Sequence, residues 1–244
     1  MTNAKIKITI LSAILVTFFS AHQAAAMAKP PISDTPTTTP KPTPTPTPKP
    51  SPTPSPTPSE PTTGRQVTPL WESAHADGKK WTDYVDAQLE VLGQDLLDVK
   101  PADATTFCPK YNSLSYQERK EFWTYLMSQM VKYESNFKPA TAYTESFNDS
   151  KGNRVVSRGL LQLSIESGNA YGCGFKSASE VHDPYKNLAC GIRILNRWME
   201  RDGRIAGKVS GSWKGGARYW SVLRSTNSPY AKITAGTKAI SICK

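Results

Sequence analysis

Apolar residues recur at helical spacing in three stretches of the chain. Trp81, Tyr84, Val85, Leu89, Leu92 and Leu96 share one face of a helix predicted over roughly residues 79–98. Ser115-Tyr116-Gln117-Glu118 has the form of a capping box, and the stripe that follows it is Phe122, Trp123, Leu126, Met127, Met130 and Tyr133. Asp183-Pro184 opens a third helix, with Leu188, Ile192, Leu195 and Trp198 on one side. Between the second and third, residues 141–157 alternate weakly around the turn-rich Asn148-Asp149-Ser150-Lys151-Gly152-Asn153, which predicts a β-hairpin or a long loop. The expected class is α+β, mainly α.

The N-terminal part follows a different rule. Lys5 and Lys7 precede a short apolar run from Ile8 to Phe19, and Ala24-Ala25-Ala26 and Ala26-Met27-Ala28 are small-x-small sites, so residues 1–28 are expected to be a signal peptide. Fifteen of the 20 prolines lie between Pro30 and Pro69, with Thr-Pro and Ser-Pro repeats. Proline fixes φ and removes a donor, and there is little apolar surface to bury, so residues 29–69 are expected to be a disordered spacer. Residues 70–244 hold all six tryptophans and all four cysteines and suffice for one domain. No apolar run is long enough for a membrane span. The protein is expected to be secreted or periplasmic and to act as a monomer.

The formal net charge is +10, or +8 once the two lysines of residues 1–28 are removed. From Arg204 to Lys244 there are eight Lys or Arg and no acid, which suits an anionic cell wall. A signal peptide directs the chain away from nucleic acid. Cys108, Cys173, Cys190 and Cys243 are even in number and spaced unlike zinc ligands, so two disulfides are expected. Three pairings are open; Cys173–Cys190 as a local clip and Cys108–Cys243 as a clamp across the domain are favoured. Beyond residue 28 only His75 and His182 remain, with no paired-His motif, so neither a metal nor any other cofactor is expected, and His182 is assigned to a loop.

Chemistry then falls to carboxylates. Glu134 lies four residues after Met130, on the apolar side of its helix and near its end. Desolvation there favours the protonated form and suits a general acid for glycosidic cleavage. The competing reading of the position is a glutamate paired with a neighbouring arginine.

Glu134-Ser135-Asn136-Phe137 resembles the Glu-Ser-x-Phe signature of the soluble lytic transglycosylase and goose-type lysozyme superfamily. Gly159-Leu160-Leu161-Gln162-Leu163 is similar to that family's Gly-Leu-Met-Gln motif, and Asp183-Pro184-Tyr185-Lys186-Asn187-Leu188 with Gly191 to its Asp-Pro-x-x-Asn helix. The resemblance implies a lysozyme-like fold that cleaves the glycan of peptidoglycan, with Glu134 as the acid and Ser135 and Gln162 at the sugar cleft. Two features depart from the pattern. Twenty-four residues separate Glu134 from Gly159, carrying Tyr143, Glu145 and Asp149; Tyr143 is taken as a substrate contact. The family's later tyrosine motif is replaced by Trp213-Lys214-Gly215-Gly216, which makes Trp213 and Tyr219 substrate-binding candidates.

The extra acids favour hydrolysis, which needs a second carboxylate to activate water. Glu145 is preferred to Asp149, whose place in a turn gives it an ordinary local role. The alternatives are a lytic transglycosylase forming anhydro ends and a non-catalytic wall-binding module. A penicillin-recognising serine enzyme is disfavoured: Ser135-Asn136-Phe137-Lys138 matches Ser-x-x-Lys, but Ser-Asp-Asn and Lys-Thr-Gly are missing. The chain also resembles secreted lysozymes of this fold that prefer de-N-acetylated glycan, in which free amines would meet Glu145 or Asp149.

Overall fold

The computed structural model describes residues 64–244, so the expected signal peptide and most of the spacer lie outside the described residues. The domain begins earlier than the sequence boundary at residue 70. Val67 is buried, the backbone N–H groups of Gln66 and Val67 both donate to Glu121 Oε2 at 2.9 Å, and Arg65 pairs with Asp86. Residues 65–69 therefore pack with the domain rather than with the spacer.

Helix α1 (Leu70–Ala74) leads into α2 (Gly78–Leu92) and α3 (Gln94–Asp98). The single helix predicted over 79–98 is thus two helices, broken at Gly93. A Cβ at Gly93 would stand 2.9 Å from Leu89 O and 3.0 Å from Leu89 Cδ2, one turn back, and 3.2 Å from Ile192 Cγ2. The apolar stripe runs on across the break, so periodicity within the segment carries no sign of it. A short α4 (Ala104–Phe107) precedes the central helix α5 (Tyr116–Glu134).

The N-terminus of α5 forms as its sequence predicts. Ser115 Oγ accepts the Glu118 N–H, and the Glu118 carboxylate accepts the Ser115 N–H at 2.8 Å. The helix buries Phe122, Trp123, Leu126, Met127, Met130 and Val131, each contributing about 2–3 kcal/mol of apolar burial. Trp123 is also fixed in direction, because its Nε1–H donates to Leu96 O and to Tyr111 Oη.

After α5 come the antiparallel strands β1 (Ala142–Asn148) and β2 (Arg154–Arg158), the hairpin expected between residues 141 and 157. Short helices α6 (Ile165–Ala170) and α7 (Ala178–His182) lead to the second long helix, α8 (Pro184–Asp202). Asp183 caps α8 by accepting the Lys186 N–H at 2.9 Å, Pro184 occupies its first turn, and Gly203 ends it in a left-handed conformation. His182 closes α7 rather than lying in a loop, with Nδ1 2.9 Å from Pro139 O.

A second antiparallel hairpin, β3 (Ala206–Val209) with β4 (Ser212–Gly215), was not foreseen from the sequence. Ser210 and Gly211 both have positive φ, the geometry of a tight two-residue turn. The chain ends with α9 (Ser228–Ala239), which packs on α4 and α5. Both favoured disulfides form. Cys108–Cys243 joins the segment after α4 to the C-terminus, and Cys173–Cys190 ties the loop after α6 to α8. Among the described residues no helix is long and apolar enough to cross a membrane.

Candidate active site

Glu134 is the last residue of α5. The chain turns away at once, through Asn136 and Phe137, two consecutive residues with positive φ. The carboxyl is thereby left at the end of a buried helix and faces a cleft of about 670 Å³.

The three motifs noted in the sequence pack against one another, and Glu134 and Gln162 from two of them line that cleft. Ser135 Oγ donates to Leu160 O at 2.9 Å. The buried Asn187 of α8 accepts the Leu161 N–H at 2.8 Å and donates to Arg158 O and Val181 O. Gly159 has φ of 77°, and a Cβ on it would stand 2.4 Å from both Asn187 Nδ2 and Val181 O. At Gly191 a Cβ would stand 2.2 Å from Leu161 Cδ1. These glycines are required because α8 and the loop touch backbone to side chain.

Glu134 is half-buried, and among the described residues no hydrogen bond or ion pair reaches its carboxyl. The arginine-paired reading of this position therefore does not hold. Burial, and then the nearby Glu145 carboxylate, push its pKa up to about 8, so the group holds its proton at neutral pH.

Glu145 faces the same cleft from β1. The strand register is irregular between Thr144 and Asn148, a bulge of the kind that re-aims a side chain. Ser157 Oγ of β2 donates to Glu145 Oε1 at 2.6 Å. Asp149 also lines the cleft, but its Oδ1 accepts the N–H groups of Lys151 and Asn153 at 2.9 and 2.8 Å. Those backbone donors hold its carboxyl below the usual range, so Asp149 organises the hairpin turn.

The other expected site residues separate into two groups. Gln162 and Tyr219 line the cleft. Gln162 has φ of 50° and donates from Nε2 to Gly159 O at 2.8 Å. Tyr219 Oη lies 2.5 Å from Ser167 Oγ, and burial, followed by Tyr171 and Glu134, raises its pKa. Ser135, Tyr143 and Trp213 are not among the residues lining the cleft. Ser135 is buried against Leu160, Tyr143 is exposed on β1, and Trp213 packs on the core with Lys208 over its ring.

One wall is legible in the sequence only at Tyr219. Tyr171, Trp198, Tyr219 and Trp220 form it, with successive ring centroids 4.6–6.1 Å apart, and Arg218 stands 4.7 Å over Trp198. Trp198 falls at the spacing of a core residue on α8 and is nearly all buried, so its periodic position gives no sign of the edge that meets the cleft. Among the described residues no group of three or more His, Cys, Asp or Glu could hold a metal. A raised acid, a second carboxylate and an aromatic wall together suit the cleavage of a sugar polymer.

Residues 112–237 match the family model described as the Transglycosylase SLT domain. The chain belongs to that family. Among solved structures it is similar to DslA in wild-type form and as two single mutants, each with 63% identity and a TM-score of 0.73, covering 74% of this chain and 100% of that one. The two DslA mutants each replace a glutamate by glutamine, at positions eleven residues apart. Comparison with curated proteins finds no match. Membership in this family confirms the resemblance drawn from the three motifs: the fold is lysozyme-like and the activity is directed at peptidoglycan.

Proposed function

We propose that the protein cleaves the β-1,4 bond of peptidoglycan glycan strands outside the cytoplasm, by hydrolysis. The observation that carries this reading is the pair of carboxyl groups sharing one cleft, Glu134 protonated and Glu145 bearing charge toward it. Glu134 donates its proton to the glycosidic oxygen as the bond breaks. Positive charge grows on the sugar carbon, and Glu145, oriented by Ser157, removes a proton from the water that attacks it. The aromatic wall supports the sugar faces, and Gln162 supplies polar contact at the floor. Two Glu-to-Gln variants of DslA whose spacing equals that of Glu134 and Glu145 support giving both residues chemical roles.

The family description favours a second reading better: a lytic transglycosylase, in which the muramic acid's own hydroxyl attacks and leaves an anhydro end. Glu145 is what speaks for water instead. Mass spectrometry of products from defined peptidoglycan separates the two, because hydrolysis leaves reducing ends and transglycosylation anhydro ends. Acetylated and de-N-acetylated substrates in the same assay test a preference for free amines, whose positive charge would meet the Glu145 carboxylate. A protein that only bound the wall would release no product from either. Monomeric action is part of this proposal and is checked by light scattering.

A further inference from the structure

The β1–β2 hairpin is attached to the domain in an uneven way. At its base, the Gly159 N–H donates to Thr141 O at 2.9 Å, Arg158 and Leu163 exchange backbone hydrogen bonds, and Asn187 holds Arg158 O. Between Ala142 and Ser157, among the described residues, one hydrogen-bonding contact arrives from outside the hairpin. It is at the far tip, where the Ser150 N–H donates to both carboxylate oxygens of Glu166 at 3.2 Å. Glu166 stands in the first turn of α6, is exposed, and lines the cleft with Phe147 and Ser150. Glu145 lies between the two attachments, on a bulge where regular pairing is lost.

We propose that Glu166 is a positioning residue: by accepting the Ser150 N–H it latches the hairpin tip across the cleft and so holds Glu145 toward Glu134. A hinge at Thr141 and Arg158 with a single fastening at the tip also lets a polymer enter from the side. Release of one charge-assisted hydrogen bond frees the tip, and its reformation closes the hairpin over the strand. The inference rests on the roles given to Glu134 and Glu145 above.

The closed hairpin has an electrostatic signature. Glu145 is the charged neighbour that adds to the burial of Glu134 in raising its pKa. The other ionisable groups facing the cleft are Asp149, Glu166, Tyr171, Tyr219, Arg218 and Arg224. If the hairpin swings away, Glu134 loses the Glu145 contribution. The alkaline limb of the pH–rate profile, where the acid loses its proton, then moves to lower pH.

The test uses Glu166→Ala and Glu166→Gln in the full chain, each also combined with Glu145→Gln. Hydrogen exchange is followed at the amides of residues 147–153 and turnover is measured across pH. Glu166→Ala should speed exchange at the tip by roughly tenfold to a hundredfold, the range of one hydrogen bond to a charged group, and leave the helices unchanged. It should lower kcat more than it raises KM and move the alkaline limb down. Glu166→Gln keeps an acceptor for Ser150 and should retain most of the wild-type behaviour, which separates the latch from a mere loss of charge. On the Glu145→Gln background, Glu166→Ala should cost little more. Unchanged exchange at the tip overturns the proposal, and so does an equal loss in both backgrounds, which would mean that Glu166 touches the glycan directly. Should Glu145→Gln prove fully active, the hydrolytic reading fails, and hydrogen exchange alone then decides whether the latch exists.

Discussion

The two ends of helix α5 carry glutamates in opposite circumstances. Glu121, near the start, is buried and accepts two backbone N–H groups at 2.9 Å. Glu134, thirteen residues on, has no hydrogen-bond partner among the described residues and holds its proton to about pH 8. The helix and residue type are the same, but Glu121 meets two amide donors, whereas Glu134 meets burial and then the charge of Glu145. A carboxylate met by amides serves as a fixed acceptor, whereas one left in apolar surroundings keeps a proton it can give away.

The largest effect expected from breaking this contrast is on turnover. Glu134→Gln should fold normally and lose about 10²–10⁴ of its wall-lysing rate, measured by product release from purified peptidoglycan. Wild-type lysis by this variant would end the catalytic assignment. Glu145→Gln should fall in the same range but on the lower side, since it removes the base and also lowers the pKa of the acid. In the wild type, activity should drop as pH rises through about 8, where Glu134 deprotonates.

Stability effects are smaller and opposite in sign at the two ends. Glu121→Gln should cost about 1–3 kcal/mol in denaturant titrations, because the buried Val67 N–H and the partly buried Gln66 N–H lose a carboxylate acceptor. Its activity per folded molecule should not change. For Glu134 the ordinary pKa is 4.5 and the folded one about 8. Between these values the unfolded chain gives up the proton and the folded chain does not, so stability is full below pH 4.5 and declines as pH rises toward 8. Glu134→Gln removes that loss. Its melting temperature should equal that of wild type at pH 4 and exceed it at pH 8, by roughly 2–8 °C if the opening to the cleft leaves about 1–2 kcal/mol.

Legibility in the sequence followed how local each cause is. The starts of α5 and α8 were readable because Ser115, Glu118, Asp183 and Pro184 act within one turn of their own helix. The break at Gly93 was not, because the apolar stripe runs across it from Leu89 and Leu92 to Leu96 and registers no interruption. The β1–β2 hairpin announced itself through its turn residues, while β3–β4 has four-residue strands and a two-residue turn, too short for alternation to register. At the cleft, the expected residues Glu134, Glu145, Gln162 and Tyr219, to which motif and spacing point, all line the cavity. Ser135 and Trp213 do not line it, because sequence does not separate a motif residue that packs beneath a cleft from one that faces it. Trp198 lines it without a sign in the sequence, because an aromatic at the cleft edge has the same periodic address on α8 as a core one, and Tyr171 follows the short α6, where no stripe marks it.

The strap formed by residues 65–69 has a mechanical consequence. It is fastened beside Glu121, and at 1.5 Å per residue that point lies about 20 Å along α5 from Glu134. Gly64, the first described residue, thus enters the domain near Glu121 and away from Glu134. A pull exerted through that segment loads Glu121, Arg65 and the body of α5 before it can reach the hairpin.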